Sequence, residues 1–422
     1  MKSISFLQIL TYVFNQQTMY SEILLLITRM KKYKLLIISI ECIFFISCKE
    51  VHQDPLPANT KGCKEMVEIN INLDKNSIPY DSLMAFVKFV KLETTGNNLI
   101  GSISQILFSQ NKIIIVDWEV SKSITVYDES GRFLNKIGAL GQGPEEYVFL
   151  RHVALTPDKS MVVVLDMGSR SMKYYSIDGR FIKSEKTPFW FSHCEFITDN
   201  IVAGEYNGGN LLPRHNNQYK PQLVTTTLQK KVCNSGFQSY YSKNFAATTL
   251  MPLRKFEEEV FYSPPFSDTI FQVTQNRLQA RYHLKIQGTT PFVIDKNTTK
   301  KSWDEYINKN PFFNGDIIEL KDAAIFHIFE PHLKWLRFAI YSKKKKQVFT
   351  CDGTLHSPFF YLFDAPKARY KENMIVIDTR ATFILEGKHA FYQLGEKSLI
   401  DNLYHDLTED SNPVLFFYKI KV

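Results

Sequence analysis

The sequence predicts an all-β protein, a β-propeller most simply built of six four-stranded blades with short helical insertions. Three observations lead there. A unit made only of short strands repeats in phase at about fifty residues. Phe and Tyr are abundant, at 33 and 21 residues, which favours pleated, half-buried strands. The chain, at 422 residues, is also too long for one ordinary compact domain, and repeats that bury their faces against neighbours let such a length remain one unit.

The repeat is clearest between Ile100 and Ile182. Asn111 to Asp117 (NKIIIVD) and Ser160 to Asp166 (SMVVVLD) are apolar on both faces, as a strand sandwiched between neighbouring blades must be. Ile124 to Asp128 and Met172 to Ser176 alternate, which predicts a more exposed neighbouring strand. Asp128 to Gly131 and Ser176 to Gly179 read as tight turns needing glycine, with Phe133 and Phe181 opening the outermost strand. From Asp117 to Asp166 is 49 residues, and from Gly131 to Gly179 is 48, so the halves stay in register. The Gly-rich run Ile137 to Tyr147 lacks the Lys-Ser/Thr of a phosphate loop and contains Pro144, so it reads as a blade-to-blade connection.

Later strands are less regular. Cys194–Ile197, Asn200–Glu205 and Pro221–Leu228 fit a third blade; Val260–Tyr262, Thr269–Val273 and Arg281–Ile286 fit a fourth. Residues 300 to 324 read as a helical insertion. Ile325–Phe329, Trp335–Tyr341 and Gln347–Thr350 make a fifth blade. Met374–Asp378 and Val414–Tyr418 make the last, around a helical stretch from Lys397 to Leu407. Six blades give about sixty residues each, with seven tighter blades the alternative. Closing the ring removes unpaired edges, and Val67–Ile71 is the expected latch onto the final blade.

The stretch GQGPEEYVFLRHVALTPDKSMVVVLDMGSRSMKYYSIDGRFI resembles an NHL-type propeller repeat from end to end. With Val90 to Asp117, Phe266 to Val273 and Asn412 to Lys421, the chain is similar to the six-bladed β-propeller lipoproteins of Bacteroides-type bacteria, over residues 66 to 422. That resemblance implies fold and compartment more than activity.

The N-terminus reads as an address. Residues 1–29 are taken as a mis-assigned extension before a start at Met30, and 30–48 as a lipoprotein signal peptide. Lys31, Lys32 and Lys34 precede an apolar run that is too short to span a bilayer and is interrupted by Glu41. Ser47-Cys48 resembles a lipobox, which implies lipidation of Cys48; a plain secretory signal is the alternative. Residues 49–65, polar with Pro55 and Pro57, read as a flexible tether. The remaining cysteines, Cys63, Cys194, Cys233 and Cys351, lack the close pairing of a zinc site and leave open one disulfide or free thiols.

The net charge of +8 is spread thinly, with one run at Lys343–Lys346 that reads as a hairpin turn. No broad basic face or reading module points to nucleic acid. His327, Glu330 and His332 have no metalloprotease spacing, and Pro331 makes that segment an interblade turn. Asp117 and Asp166 recur at equivalent positions. They are channel-side candidates for cations, or acceptors for backbone N–H groups in the next turn; Lys122 and Arg170 occupy the corresponding loops as partners. No catalytic residue, metal site or cofactor is predicted. The function expected is an exported, membrane-anchored binding or scaffold module for a glycan, peptide or envelope protein. The alternatives are a metal-dependent lyase or hydrolase with its site at the channel mouth, and a structural subunit of an envelope complex.

Overall fold

The computed structural model describes residues 65–73, 77–206, 208–210, 212, 220–239, 251–292, 294, 298–331, 335–351, 365–389, 392 and 397–422. They belong to one compact unit, Gly62–Val422. Three strands come first: β1 (Val67–Ile71), β2 (Ser77–Ile78) and, after the single-turn α1 (Tyr80–Leu83), β3 (Met84–Lys91). Six sheets follow as the blades of a β-propeller.

Blade 1 holds β4 (Gln105–Ser109), β5 (Lys112–Asp117), β6 (Ser123–Asp128) and β7 (Phe133–Lys136) as an antiparallel meander. Blade 2 repeats it with β8 (Leu150–Leu155), β9 (Met161–Asp166), β10 (Ser171–Ser176) and β11 (Phe181–Lys186). Blade 3 is β12 (His193–Thr198), β13 (Ile201–Glu205), β14 (Pro221–Thr227) and β15 (Val232–Gln238). Blade 4 is β16 (Leu253–Phe256), β17 (Glu259–Tyr262), β18 (Thr269–Val273) and β19 (Leu278–Ile286). After α2 (Lys300–Ile307), blade 5 is β20 (Phe312–Glu319), β21 (Ala323–Glu330), β22 (Trp335–Ser342) and β23 (Gln347–Cys351). Blade 6 is β24 (Ala368–Tyr370), β25 (Met374–Thr379) and β26 (Val414–Ile420), with α3 (Ala381–Glu386) and α4 (Lys397–Tyr404) between the last two. Its fourth strand is β3, from the other end of the chain.

The apolar run of each second strand is divided between two neighbours because successive side chains leave a strand on opposite faces. Ile114 and Val116 pack with Val153, Val162, Val164 and Tyr175 of blade 2. Ile113 and Ile115, on the other face, pack with Val376, Leu415 and Phe417 of blade 6. Blade 2 in turn gives Val163, Leu165 and Tyr174 to Phe196 and Val202 of blade 3. The third strands share this burial: Ile124 to Tyr127 are fully buried, so the expectation of a more exposed strand is corrected. A blade packed on both faces has no solvent side.

The coincident Gly-Arg-Phe tripeptides have a structural cause. Gly131 and Gly179 sit at φ +93° and +92°, and each donates its N–H back across the turn at 3.0 Å. A Cβ on Gly131 would lie 2.1 Å from the carbonyl oxygen of Lys91, and one on Gly179 would lie 2.4 Å from that of Lys136. Both carbonyls end the outer strand of the preceding blade. Glycine recurs here because each turn rests against its neighbour's backbone.

Three sequence expectations change. The helical insertion ends at Ile307, and residues 312–319 form the inner strand of blade 5, whose Ile317 and Ile318 join the core. His327 and Glu330 lie within β21, and Pro331 lies in the loop inside blade 5 rather than between blades; His332 is outside the described residues. Val67–Ile71 does not latch onto the final blade. It adds a fifth, parallel strand to blade 4 beside β19, β2 does the same for blade 5, and the ring is closed by β3 against β26.

Deleting residues 65–73 is expected to strip Ile69 and Ile71 from the core, cost about 4 kcal/mol and leave cooperative urea unfolding intact. Extending the deletion through Lys91 is expected to open the ring and abolish the cooperative transition. A sharp transition in the longer deletion would show that β3 is not the closing strand.

Candidate functional site

The repeat-equivalent carboxylates lie at the ends of the second strands, one strand away from the axis. Asp117 accepts the N–H groups of Gly101, Ser102, Glu119, Val120 and Ser121 at 2.8–3.1 Å. Asp166 likewise accepts from Val148, Phe149, Gly168 and Ser169 at 2.9–3.3 Å, and from the Ser169 hydroxyl. Each carboxylate thus ties the loop inside its own blade to the segment entering that blade, and saturating its lone pairs offsets its burial. Burial pushes the Asp166 carboxyl up, but the Ser169 hydroxyl and the backbone donors outweigh it and hold the group below its ordinary range. Lys122 and Arg170 both adopt left-handed backbone, at φ 50° and 54°. Their carbonyls take the Tyr147 hydroxyl and the Thr187 N–H, and the Arg170 guanidinium lies 4.0 Å over the Trp190 ring. Cys48 is outside the described residues; Cys194 and Cys233 are free thiols.

A cavity lies among the inner strands and has a volume of about 520 Å³. Blade 1 contributes Gln105 to Phe108, blade 2 Leu155 to Pro157 and Lys159, blade 3 Glu195, blade 4 Leu253 to Glu257, and blade 6 Lys367 to Arg369 with Lys371 and Glu372. Several of these residues sit in the turns joining first and second strands, so the cavity opens on the side opposite the Asp117 and Asp166 loops. Apolar walls come from Ile106, Phe108, Leu155 and Phe256. Six cations line it: Lys159, Arg254, Lys255, Lys367, Arg369 and Lys371. Three carboxylates accompany them, and each has another commitment. Glu257 pairs with Arg369, Glu372 with Lys321 at 2.9 Å, and Glu195 lies 3.3 Å from His152. Arg254 is anchored through one guanidinium nitrogen to Asp316 at 2.8 Å.

Beside the cavity lies a chain of buried polar groups. His152 Nε2 lies 3.3 Å from Glu195, the His152 and His193 rings meet edge to face at 5.4 Å, and His193 Nδ1 lies 3.2 Å from Glu205. Burial pushes the Glu205 carboxyl up to about 8, with Arg151 and the Ser192 hydroxyl opposing it. Burial also lifts the Tyr262 phenol, and nearby Glu205 adds to the effect. Among the described residues, no group of three or more His, Cys, Asp or Glu side chains is arranged to hold a metal ion.

None of the cavity's cations or of this His–Glu chain was singled out by sequence reasoning. Their one signal is polar residues on short inner strands otherwise made of core residues: Gln105, His152, Glu195 and Lys255 fit that pattern.

Two outcomes follow. Asp117→Ala orphans five donors and is expected to cost about 3 kcal/mol in chemical denaturation, against less than about 0.5 kcal/mol for the exposed Val87→Ala. For Glu205, whose folded value is raised, the stabilising contribution is full below the ordinary 4.5 and is lost as pH rises through about 8. Glu205→Gln therefore gains on wild type across that window at up to about 1.4 kcal/mol per pH unit. A difference between the two proteins that does not vary with pH would refute the assignment.

The family described as Domain of unknown function (DUF4934) matches residues 66–419. No curated protein matches the chain. Among solved structures, an exported-protein candidate from Bacteroides fragilis superposes with a TM-score of 0.69 at 18% identity, covering 85% of this chain and all of that one. A member of the DUF4221 family from Bacteroides vulgatus gives a TM-score of 0.50 at 11% identity, covering 80% of this chain and 98% of that one. Those likenesses speak for the fold, and the match over residues 66–419 speaks for more: the chain belongs to the DUF4934 family.

Proposed function

We propose that this propeller is an exported, lipid-anchored binding module whose ligand enters the cavity at the channel mouth. The observation that carries the reading is the cavity itself. Its volume of about 520 Å³ falls in the range of small-molecule sites, roughly 300–1,000 Å³. It is framed by inner strands of five blades, so its walls are held by the ring rather than by a loose loop. Apolar side chains and a few converging charges give it both surface to bury and groups to orient a ligand. A sugar, a peptide end or a side chain of a partner protein has the right size.

Export and anchoring rest on the basic and apolar segment ahead of Ser47-Cys48, on the resemblance to propeller lipoproteins with NHL-like repeats, and on the likeness to the Bacteroides fragilis exported-protein candidate. In this reading Cys48 carries the lipid and the tether lets the propeller reach its ligand.

Wild-type protein screened on arrays of oligosaccharides and peptides is expected to bind at least one class. Leu155→Trp, which fills the cavity from blade 2, is expected to remove that binding at unchanged melting temperature. Binding indifferent to Leu155→Trp would place recognition elsewhere on the ring. In cells, Cys48→Ala is expected to abolish incorporation of labelled palmitate and release the protein from the membrane fraction; unchanged labelling would sink the anchor.

A further inference from the structure

We infer that the cavity is an anion site: the ligand presents a carboxylate, phosphate or sulfate to Lys255 in the cavity wall. The inference rests on the binding reading above and names the chemistry of its ligand.

The charge that lines the cavity is unbalanced. The lining carries six cations and three carboxylates, and none of the three neutralises the interior cations of blade 4. Glu257 and Glu372 are exposed and engaged with Arg369 and Lys321, and Glu195 faces His152. Asp316 is held by Arg254.

Lys255 is the decisive residue. Its Nζ is shielded from solvent and has no hydrogen-bond partner among the described residues. A lysine ammonium has three donors, and leaving it shielded from water and unpaired is unfavourable. Folding tolerates such a group where function requires it. Arg254 Nε, one residue away, is buried and unpartnered as well, although the rest of that guanidinium is fixed by Asp316 and the Lys367 carbonyl. Arg254 and Lys255 both line the cavity from opposite faces of their strand. An oxyanion is the ligand that satisfies Lys255, since its several lone pairs can accept all the donors of the ammonium. Lys159 and Lys371, exposed at the rim, add a field that draws anions inward.

The position of Lys255 has a structural origin. Leu253 belongs to the core between blades 3 and 4, and Lys255 follows it two positions along the same inner strand. An apolar residue there would continue that core. Lysine instead puts a charge where the next blade's packing gives way to the cavity.

The experiment is isothermal titration of the full propeller domain with four probes: inorganic phosphate, sulfate, D-galacturonate and neutral D-galactose. At least one anion is expected to bind, with affinity falling as sodium chloride is raised. Lys255→Met, which keeps the length and removes the charge, is expected to weaken that anion at least tenfold, and Lys255→Arg to retain most of it. Melting temperature should rise in Lys255→Met, because the unpaired charge is gone, which separates loss of a ligand group from misfolding. Phosphate and sulfate without galacturonate would assign the site to inorganic or ester oxyanions; galacturonate alone would assign it to acidic sugars. Equal binding by wild type and Lys255→Met, no binding by any anion, or galactose binding as tightly as galacturonate would each overturn the inference. In the last case, loss of galactose binding in Leu155→Trp would leave the binding-module reading standing.

Discussion

Everything else in this structure depends on the pairing of β3 with β26. Blades are packed on both faces, so the ring is a cycle of interfaces, and one of them joins segments from opposite ends of the domain. Val90 and Leu92 lie in the same cluster as Ile113, Ile115 and Phe417, so the interface between blades 1 and 6 is complete only when β3 is in place. A buried polar pin fixes it. Asn412 accepts the Ile100 N–H at 2.8 Å and donates to the carbonyls of Glu93 and Asn98 at 2.9 and 3.1 Å. These groups are more than three hundred positions apart. Loop closure of that length is slow to form, and hydrogen-bonded burial at its end makes the closed ring the only arrangement that satisfies the seam.

The fold was legible because its physics repeats locally. Ile113 to Val116 and Val162 to Leu165 are apolar on both faces since two neighbours claim them, and glycine recurs at 131 and 179 because a backbone carbonyl lies against each. The closing strand was not legible for the opposite reason. MAFVKFVK is largely apolar with Lys88 and Lys91 on opposite faces, so it shows no clean period, and its pairing partner is fixed only by the circle. Val67–Ile71 has the stronger strand pattern and drew the latch assignment, yet it serves as an extra strand over blade 4. Both sequences specify an edge strand; neither specifies which edge.

The site was less visible still. Asp117 and Asp166 stood out because they repeat, and repetition marks what every blade needs: a carboxylate binding the N–H groups of two loops. The cavity is built from what does not repeat. Gln105 and His152 occupy matching places on β4 and β8, opposite Val116 and Leu165, while Glu195 and Lys255 are each peculiar to one blade. A ring of similar units diverges where their inner strands meet at the axis, since those side chains contact a shared space rather than the repeated neighbour interface.

That division explains how the ring can carry charge at its centre. The blade-to-blade clusters supply the stability, which frees the axis from having to be apolar. Lys255 Nζ and Arg254 Nε are buried there without hydrogen-bond partners among the described residues. The acid and the bases are separated. Glu205 and His193 belong to blade 3, where burial pushes the carboxyl up to about 8. The lysines lie at the open end. With Glu195 beside His152 and the exposed acids already paired, the six cations leave the cavity lining with an excess of positive charge. A ligand that pairs with the shielded lysine would also satisfy a donor the fold leaves unpaired, so binding and stability are linked through one atom.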